Sequence, residues 1–457
     1  MKKVLSISLL VVLSIISLKG FAQESVLEEE EKDYTFKLLR QEDDLSYFQK
    51  LEKTNPYQKA KAIALGSMAQ LSFGGSLRLQ RERFVNETFD SEAEEDNGWF
   101  LQRILLHADL TIKNNLKVFA ELNSSIAYDR EVLTLVDEDQ LAVNQLLISY
   151  QLDHWLFTIG RENLKVGSRR LIDPREGPNV RRSFDLIKIE YDKDGWQHNL
   201  LYGIPVFPER EIFDNDFLHV EESLWGYYIA RNFEKLVIPR IDLYYLGFWR
   251  DESAYEVGIE DEIRHSIGLR TFRDFGNWGY DNEFVYQFGD FGDNGISAWT
   301  ISFNAHYQIK KNQRFGLKTE VISGNDQESS NLNTFNPLYP RGAYFGRVAR
   351  IGPANLIDIH PYWNIQIGKF FIELDYDTFW RNSVDDAVYG PALTIEFSGD
   401  SDERFIAHQF GTLFNWEPKP FLTLEFETNY ILPGSFLDDI ELDDNLFHMV
   451  FTADIKF

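Results

Sequence analysis

Between Gly160 and Asp185 the chain reads GRENLKVGSRRLIDPREGPNVRRSFD. The cations Arg161, Lys165, Arg169, Arg170, Arg175, Arg181 and Arg182 stand there against Glu162, Asp173, Glu176 and Asp185. The whole chain carries a formal net charge of -27, so this stretch inverts the local sign. A planar guanidinium grips a carboxylate or phosphate with two parallel hydrogen bonds, which suits such a cluster to an anionic ligand. The same residues equally suit ion pairs that staple a loop to its surroundings. A second stretch, Asn333 to Gly346, reads NTFNPLYPRGAYFG. Pro337, Pro340, Gly342 and Gly346 among Phe335, Tyr339, Tyr344 and Phe345 predict a rigid, packed turn that presents Arg341. Its rings could stack on sugar faces or pack the turn against its neighbours.

Catalytic patterns are absent. The nine histidines form no H-E-x-x-H spacing, and no G-x-S-x-G elbow occurs. Acidic clusters at Ser91 to Asp96 and Asp438 to Asp444 lack the ligand spacing of a calcium loop, so they read as solvated loop tips. Neither a cofactor nor a metal is expected. The acidic balance also excludes nucleic acid as a partner, while a local field can still favour an anion.

The elements that position these residues begin with an export signal. Met1-Lys2-Lys3, the apolar run Val4 to Leu18 and the small residues ending at Ala22 predict a signal peptide over 1–22. The run is short of the ~20 residues that a spanning helix needs, and no later stretch approaches that length. With no cysteine, disulfides and lipidation are excluded. Residues 23–72 mix charge with Tyr34, Phe36, Leu38, Leu39, Tyr47 and Phe48. They read as a periplasmic leader, partly helical or extended.

From Phe73 to Phe457 the pattern changes to a period of two. About eighteen amphipathic segments follow, each near the ~9–11 residues of a tilted membrane strand. Ile104, Leu106, Ala108 and Leu110 alternate with Arg103, His107 and Asp109, and Ile301, Phe303 and Ala305 with Ser302, Asn304 and His306. The last segment, NLFHMVFTADIKF, closes on a terminal Phe. Composition agrees: 21 Tyr, 37 Phe and 10 Trp accompany a mean hydropathy of only -0.33. The inward face holds too much charge for a dry core, where each unpaired ion costs several kcal/mol. Links between segments alternate in length. Short ones (Lys113-Asn114-Asn115, Leu152-Asp153-His154, Asp274 to Asn277, Glu417 to Pro420) are separated by long ones such as Arg161 to Ser183, Val206 to Glu222, Arg250 to Arg264 and Gly324 to Ile357. Asp290 to Ile296 is the one short exception. Such alternation marks an all-β transmembrane antiparallel β-barrel in the outer membrane, with short periplasmic turns and long extracellular loops.

The patterns G-R-E-x-L-x-x-G-S-x-R-L from Gly160, P-R-E-G-P-N-V-R-R-S-F-D from Pro174 and N-x-F-N-P-L-Y-P-R-G-x-Y-F-G from Asn333 resemble the alginate export family of outer-membrane porins. The resemblance implies eighteen strands and a pore lined by arginines and a lysine among some acidic residues. It points to Arg161, Arg169, Arg170, Arg175, Arg181, Arg182 and Arg341 as selectivity residues, with Asp185 beside them. Arg78, Arg103 and Arg270 join them because strand parity turns them inward. Glu82, Glu121, Glu320, Glu373, Asp375, Glu425 and Glu427 face inward by the same parity. The expected function is passage of an anionic polysaccharide such as a polyuronate. A general or small-anion porin is the alternative. A surface enzyme or adhesion barrel is a third reading, with His107, Ser302 and His306 as its inward candidates. Expected partners are the polysaccharide, outer-membrane lipid and periplasmic polysaccharide machinery.

Overall fold

The period-two pattern forms eighteen antiparallel strands in a computed structural model that describes residues 34–90, 96–218, 220–233, 240–399 and 401–457. The predicted signal peptide and most of the Ser91 to Asp96 cluster lie outside the described residues. The first six strands are β1 (Ala69–Val85), β2 (Asp96–Ile112), β3 (Leu116–Tyr128), β4 (Asp139–Leu152), β5 (Trp155–Glu162) and β6 (Phe184–Lys193). Next come β7 (Trp196–Pro205), β8 (Glu222–Asn232), β9 (Arg240–Tyr255), β10 (Gly258–Phe275), β11 (Trp278–Phe291) and β12 (Asn294–Lys310). The last six are β13 (Gln313–Ile322), β14 (Leu356–Ile367), β15 (Phe370–Arg381), β16 (Phe405–Lys419), β17 (Leu422–Pro433) and β18 (Leu446–Lys456).

Each strand pairs with its sequence neighbour, and β18 closes on β1 in register from Ser76↔Lys456 to Val85↔Phe447. Closure leaves no strand edge unpaired, which lipid requires because it offers no water to backbone donors and acceptors. Even-to-odd links among the described residues are tight, as at Gly276 and Asn277 between β10 and β11. One expected long loop is different. Arg250 to Arg264 is a hairpin, because β9 runs on to Tyr255 and β10 starts at Gly258, with a bulge between Arg250 and Ser253. The polar residues of that stretch alternate in a strand pattern, with Glu262 and Arg264 fully buried on its inner face.

Outward side chains along the middle of the strands are mostly apolar, and aromatic pairs stand near the short turns. Trp155 meets Tyr191 at 4.7 Å, Trp278 meets Tyr307 at 4.9 Å, and Phe370 stacks on Trp416 at 5.3 Å. Rings with one polar end settle at the lipid–water boundary, so these mark the periplasmic girdle.

Two connections fold into the lumen and join each other there. Residues 163–183 link β5 to β6, and 323–355 link β13 to β14. Tyr339 N–H donates to Leu171 O at 2.8 Å, and Asp173 N–H donates to Tyr339 O at 3.0 Å. Phe335, Tyr339 and Phe345 are buried, so these rings pack the second loop; Tyr344 donates its hydroxyl hydrogen to Glu320 at 3.0 Å.

From the opposite end, residues 34–62 fold into the periplasmic mouth. A one-turn helix Pro56–Lys59 carries a capping box on Asn55 and Gln58, and Tyr34, Phe48 and Ala62 form a small apolar cluster. Arg40 donates to Gly75 O at 2.9 Å and to Phe457 O at 3.4 Å, while Lys61 Nζ donates to Phe73 O at 2.6 Å. Gly74 allows this approach, since a Cβ there would meet Lys61 Nζ at 2.6 Å and Phe457 O at 2.7 Å.

Candidate functional site

The first lumenal loop is tied to the wall around Glu176. Arg78, from β1, donates to the carbonyls of Glu176 at 2.6 Å, Gly177 at 3.2 Å and Pro178 at 2.6 Å. Arg103, from β2, and Arg181, from the loop, take one Glu176 oxygen each, Arg181 at 2.5 Å. Strand parity turns Arg78 and Arg103 inward, and both are almost wholly buried. The Glu176 side chain keeps 29 % of its surface, yet protein atoms crowd it and push its carboxyl up. Arg103, Arg181 and Arg78 outweigh that and hold it well below the ordinary carboxylate range. Asp454, in register with Arg78, adds a second carboxylate to the field of these three guanidiniums.

The other loop cations divide into paired and unpaired. Arg169 Nε lies 2.5 Å from Asp173, and Arg170 bonds Glu320 and lies 3.4 Å from Glu283. Burial works against the Arg170 charge, but Glu320, Tyr344 and Glu283 prevail and raise its pKa. Among the described residues no carboxylate lies within ion-pair distance of Arg175, Arg182 or Arg341. Burial pushes the Arg175 and Arg182 pKa values down, and for Arg175 the neighbouring Arg182 adds to it. Arg182 instead lies over the Tyr339 ring at 4.8 Å, an attraction to the negative face of the ring. Arg341 is exposed.

Beneath the loops a cavity of about 300 Å³ is lined by Arg169, Arg341, Arg347, Lys318, Glu373 and Asp375, among others. Parity could have found Lys318, because it shares the inward face of β13 with Glu320, two residues on. It lies over the Tyr362 ring at 4.8 Å with no ion pair among the described residues. Arg347 follows directly after the Asn333 to Gly346 motif and bonds Glu425 at 2.5 Å and Gln80 at 2.7 Å. The cavity is therefore mixed in charge, with its unpaired cations on Lys318 and Arg341.

Three expectations need correction. Arg161 and Asp185 were expected in the pore, but they sit on the outward face of β5 and β6, in register with each other. Arg161 shares its face with Trp155, Phe157 and Ile159, all well exposed. It donates to both Asp185 oxygens at 2.8 and 2.9 Å. The loop between β7 and β8 covers the pair from outside, enclosing a pocket of about 620 Å³ with Ile159, Ile187, Tyr202, Phe213 and Phe217. The strand β5 continues two residues beyond Gly160, so the apparent start of the loop is still wall. Arg270 does face inward, but Asp281 holds it through bonds of 2.7 and 2.5 Å, and Asp242 stands 3.6 Å away. His107 lies on β2 and Ser302 and His306 on β12, across the barrel from one another, so they form no common site.

Comparison with solved structures returns outer-membrane porins. OpdO of Pseudomonas aeruginosa superposes with a TM-score of 0.58 at 11 % identity, covering 84 % of this chain and 97 % of its own. Acinetobacter baumannii OccAB4 gives 0.57 at 11 % identity, covering 88 % and 100 %. A BenF-like porin of Pseudomonas fluorescens Pf-5 gives 0.58 at 10 %, covering 85 % and 99 %. These identities speak for the fold. No curated protein matches the sequence. The alginate export family model matches residues 69–444, which takes in every barrel strand but the last. The chain is an outer-membrane β-barrel channel and belongs to the alginate export family.

Proposed function

We propose that the channel passes an anionic polysaccharide, a polyuronate of the alginate kind, between its two lumenal loops. One observation carries this reading: Arg341 and Lys318 line the central cavity without carboxylate partners, and Arg175 and Arg182 in the loop above likewise have none among the described residues, beside the two arginines that share the Glu176 carboxylate. Arg169, Arg170, Arg78, Arg103 and Arg181 position the loop and shape the field. A row of weakly engaged cations offsets the desolvation of each passing carboxylate and still lets it leave. The carboxylates Glu373 and Asp375 keep the path from trapping a polyanion. Passage follows a gradient or a periplasmic partner, since no motif for energy coupling is present in the sequence.

The purified protein in planar bilayers tests this. Oligouronates added to one side should block the current in a concentration-dependent way, and Arg175→Ala/Arg182→Ala/Arg341→Ala should abolish the block while current persists. If neutral oligosaccharides block equally well, or the triple variant is blocked as the parent is, the polyuronate reading fails and a general porin remains.

A further inference from the structure

Outside the arginine loops, three unsatisfied donor groups meet on the lumen wall beneath the second loop. Asp358 and His360 project inward from β14 and Asp377 from β15. They are 1 %, 7 % and 0 % exposed, and one ligand atom from each lies within 4.8 Å of the others. Neither Asp358 oxygen has a hydrogen-bond partner, nor do His360 Nε2 and Asp377 Oδ1. His360 Nδ1 approaches Asp377 Oδ1 to 2.5 Å without hydrogen-bond geometry. No Lys or Arg among the described residues pairs with Asp358 or Asp377: Arg170, from the loop, is taken by Glu320, which stands opposite Asp358 in register, and Lys318, opposite His360, lies over the Tyr362 ring. The ladder between β14 and β15 skips His360 and Pro361, resuming at Tyr362↔Asp375. Proline has no N–H to give, so the wall is locally slack at this point.

Buried carboxylates without donors are costly, and a bound cation is the ordinary remedy. We propose that Asp358, His360 and Asp377 form a site for a divalent transition-metal ion, with zinc the best match. Two carboxylates and an imidazole make a borderline donor set, which hard cations such as calcium and magnesium do not favour. Water from the lumen completes the coordination, because His360 borders the central cavity. Gln409 provides the outer support: its amide donates to Asp377 Oδ2 at 3.3 Å and to Phe345 O at 2.7 Å. The site thereby connects the metal to the loop above it. Sequence spacing hid the site, since an Asp-x-His pair becomes a ligand set only when the next strand brings Asp377 alongside.

The test uses the full chain in detergent, stripped with EDTA and titrated with Co2+ as a spectroscopic probe. We expect one equivalent of Co2+ to develop a ligand-field absorption that Zn2+ displaces and Ca2+ does not. Asp358→Asn and His360→Gln should each remove it. Gln409→Ala, which leaves all three ligands in place, should weaken binding ~10-fold. Heat-modified gel mobility reports whether each variant is folded. Absence of Co2+ uptake by the wild-type protein overturns the proposal outright. So does equal uptake by a folded His360→Gln variant, or displacement by Ca2+ as easily as by Zn2+. Should His360→Gln fail to fold, unchanged affinity in Gln409→Ala counts against the site.

Discussion

Two segments enter this barrel from opposite ends and are held there in opposite ways. The loop 163–183 is anchored by strands at both ends, and the wall reaches out to it: Arg78 grips three successive carbonyls, and Arg103 takes Glu176. Cations are left over, on Arg175 and Arg182. The segment 34–62 continues into the barrel at one end only; it reaches out to the wall through Arg40 and Lys61, and Glu42 accepts from Lys165 of the loop above. Each of those charges is engaged, with Arg40 also paired to Asp43 at 2.7 Å. The loop keeps cations without carboxylate partners, whereas the leader's charges that meet the barrel are all engaged. The loop belongs to the wall; the leader rests on it.

The largest effect expected from breaking this contrast comes from Glu176→Gln. It leaves Arg103 and Arg181 without the carboxylate they bond, with Asp454 acting on them only through its field, a local destabilisation of ~3 kcal/mol. New protease cleavage within 163–183 of the detergent-solubilised barrel reports it, and an uncut loop would show that the carbonyl bonds of Arg78 suffice alone. The same carboxyl sets a pH dependence. Its pKa in the folded protein is depressed, so its stabilisation is complete above its ordinary value near 4.5 and is lost only as pH falls through the folded value. Cleavage of the parent loop should therefore stay slow through pH 4.5 and appear only in stronger acid.

A smaller effect belongs to the leader. Arg40→Ala removes charge-assisted bonds to two carbonyls, ~2 kcal/mol, and should free the segment for proteolysis and raise single-channel conductance. The melting temperature of the barrel should hardly move. If conductance stays the same, the leader does not narrow the mouth. Smaller again is Lys165→Ala, which deletes a half-exposed ion pair with Glu42; such pairs contribute at most ~1 kcal/mol, so conductance should change by less than twofold. Arg161→Lys should leave ion preference untouched in the same bilayer recordings, since that side chain faces outward.

Local patterning in the sequence was enough for the wall and not for what fills it. Period two placed Ile104, Phe303 and Phe426 outside and Arg103, Glu320 and Glu427 inside, because a strand obeys its own parity whatever its neighbours do. Arg161 failed for want of one fact, that β5 extends past Gly160. The hairpin at Tyr255 to Gly258 was hidden because its alternating charges resemble a solvated loop. Which arginines are neutralised was beyond any local reading. Arg170 meets Glu320 across 150 residues of chain, and Arg347 meets Glu425 across 78.

Arg40 crosses the seam where the chain's first and last strands meet, bonding Gly75 on one side and Phe457 on the other. Its binding surface does not exist until β18 has zipped onto β1. Docking of the leader is thus ordered in time: it is made before any barrel strand and its seam contact is formed last. An insertion intermediate with an open seam carries its leader loose, and a protease working in the periplasm would tell the finished cylinder from the unfinished one by that segment alone.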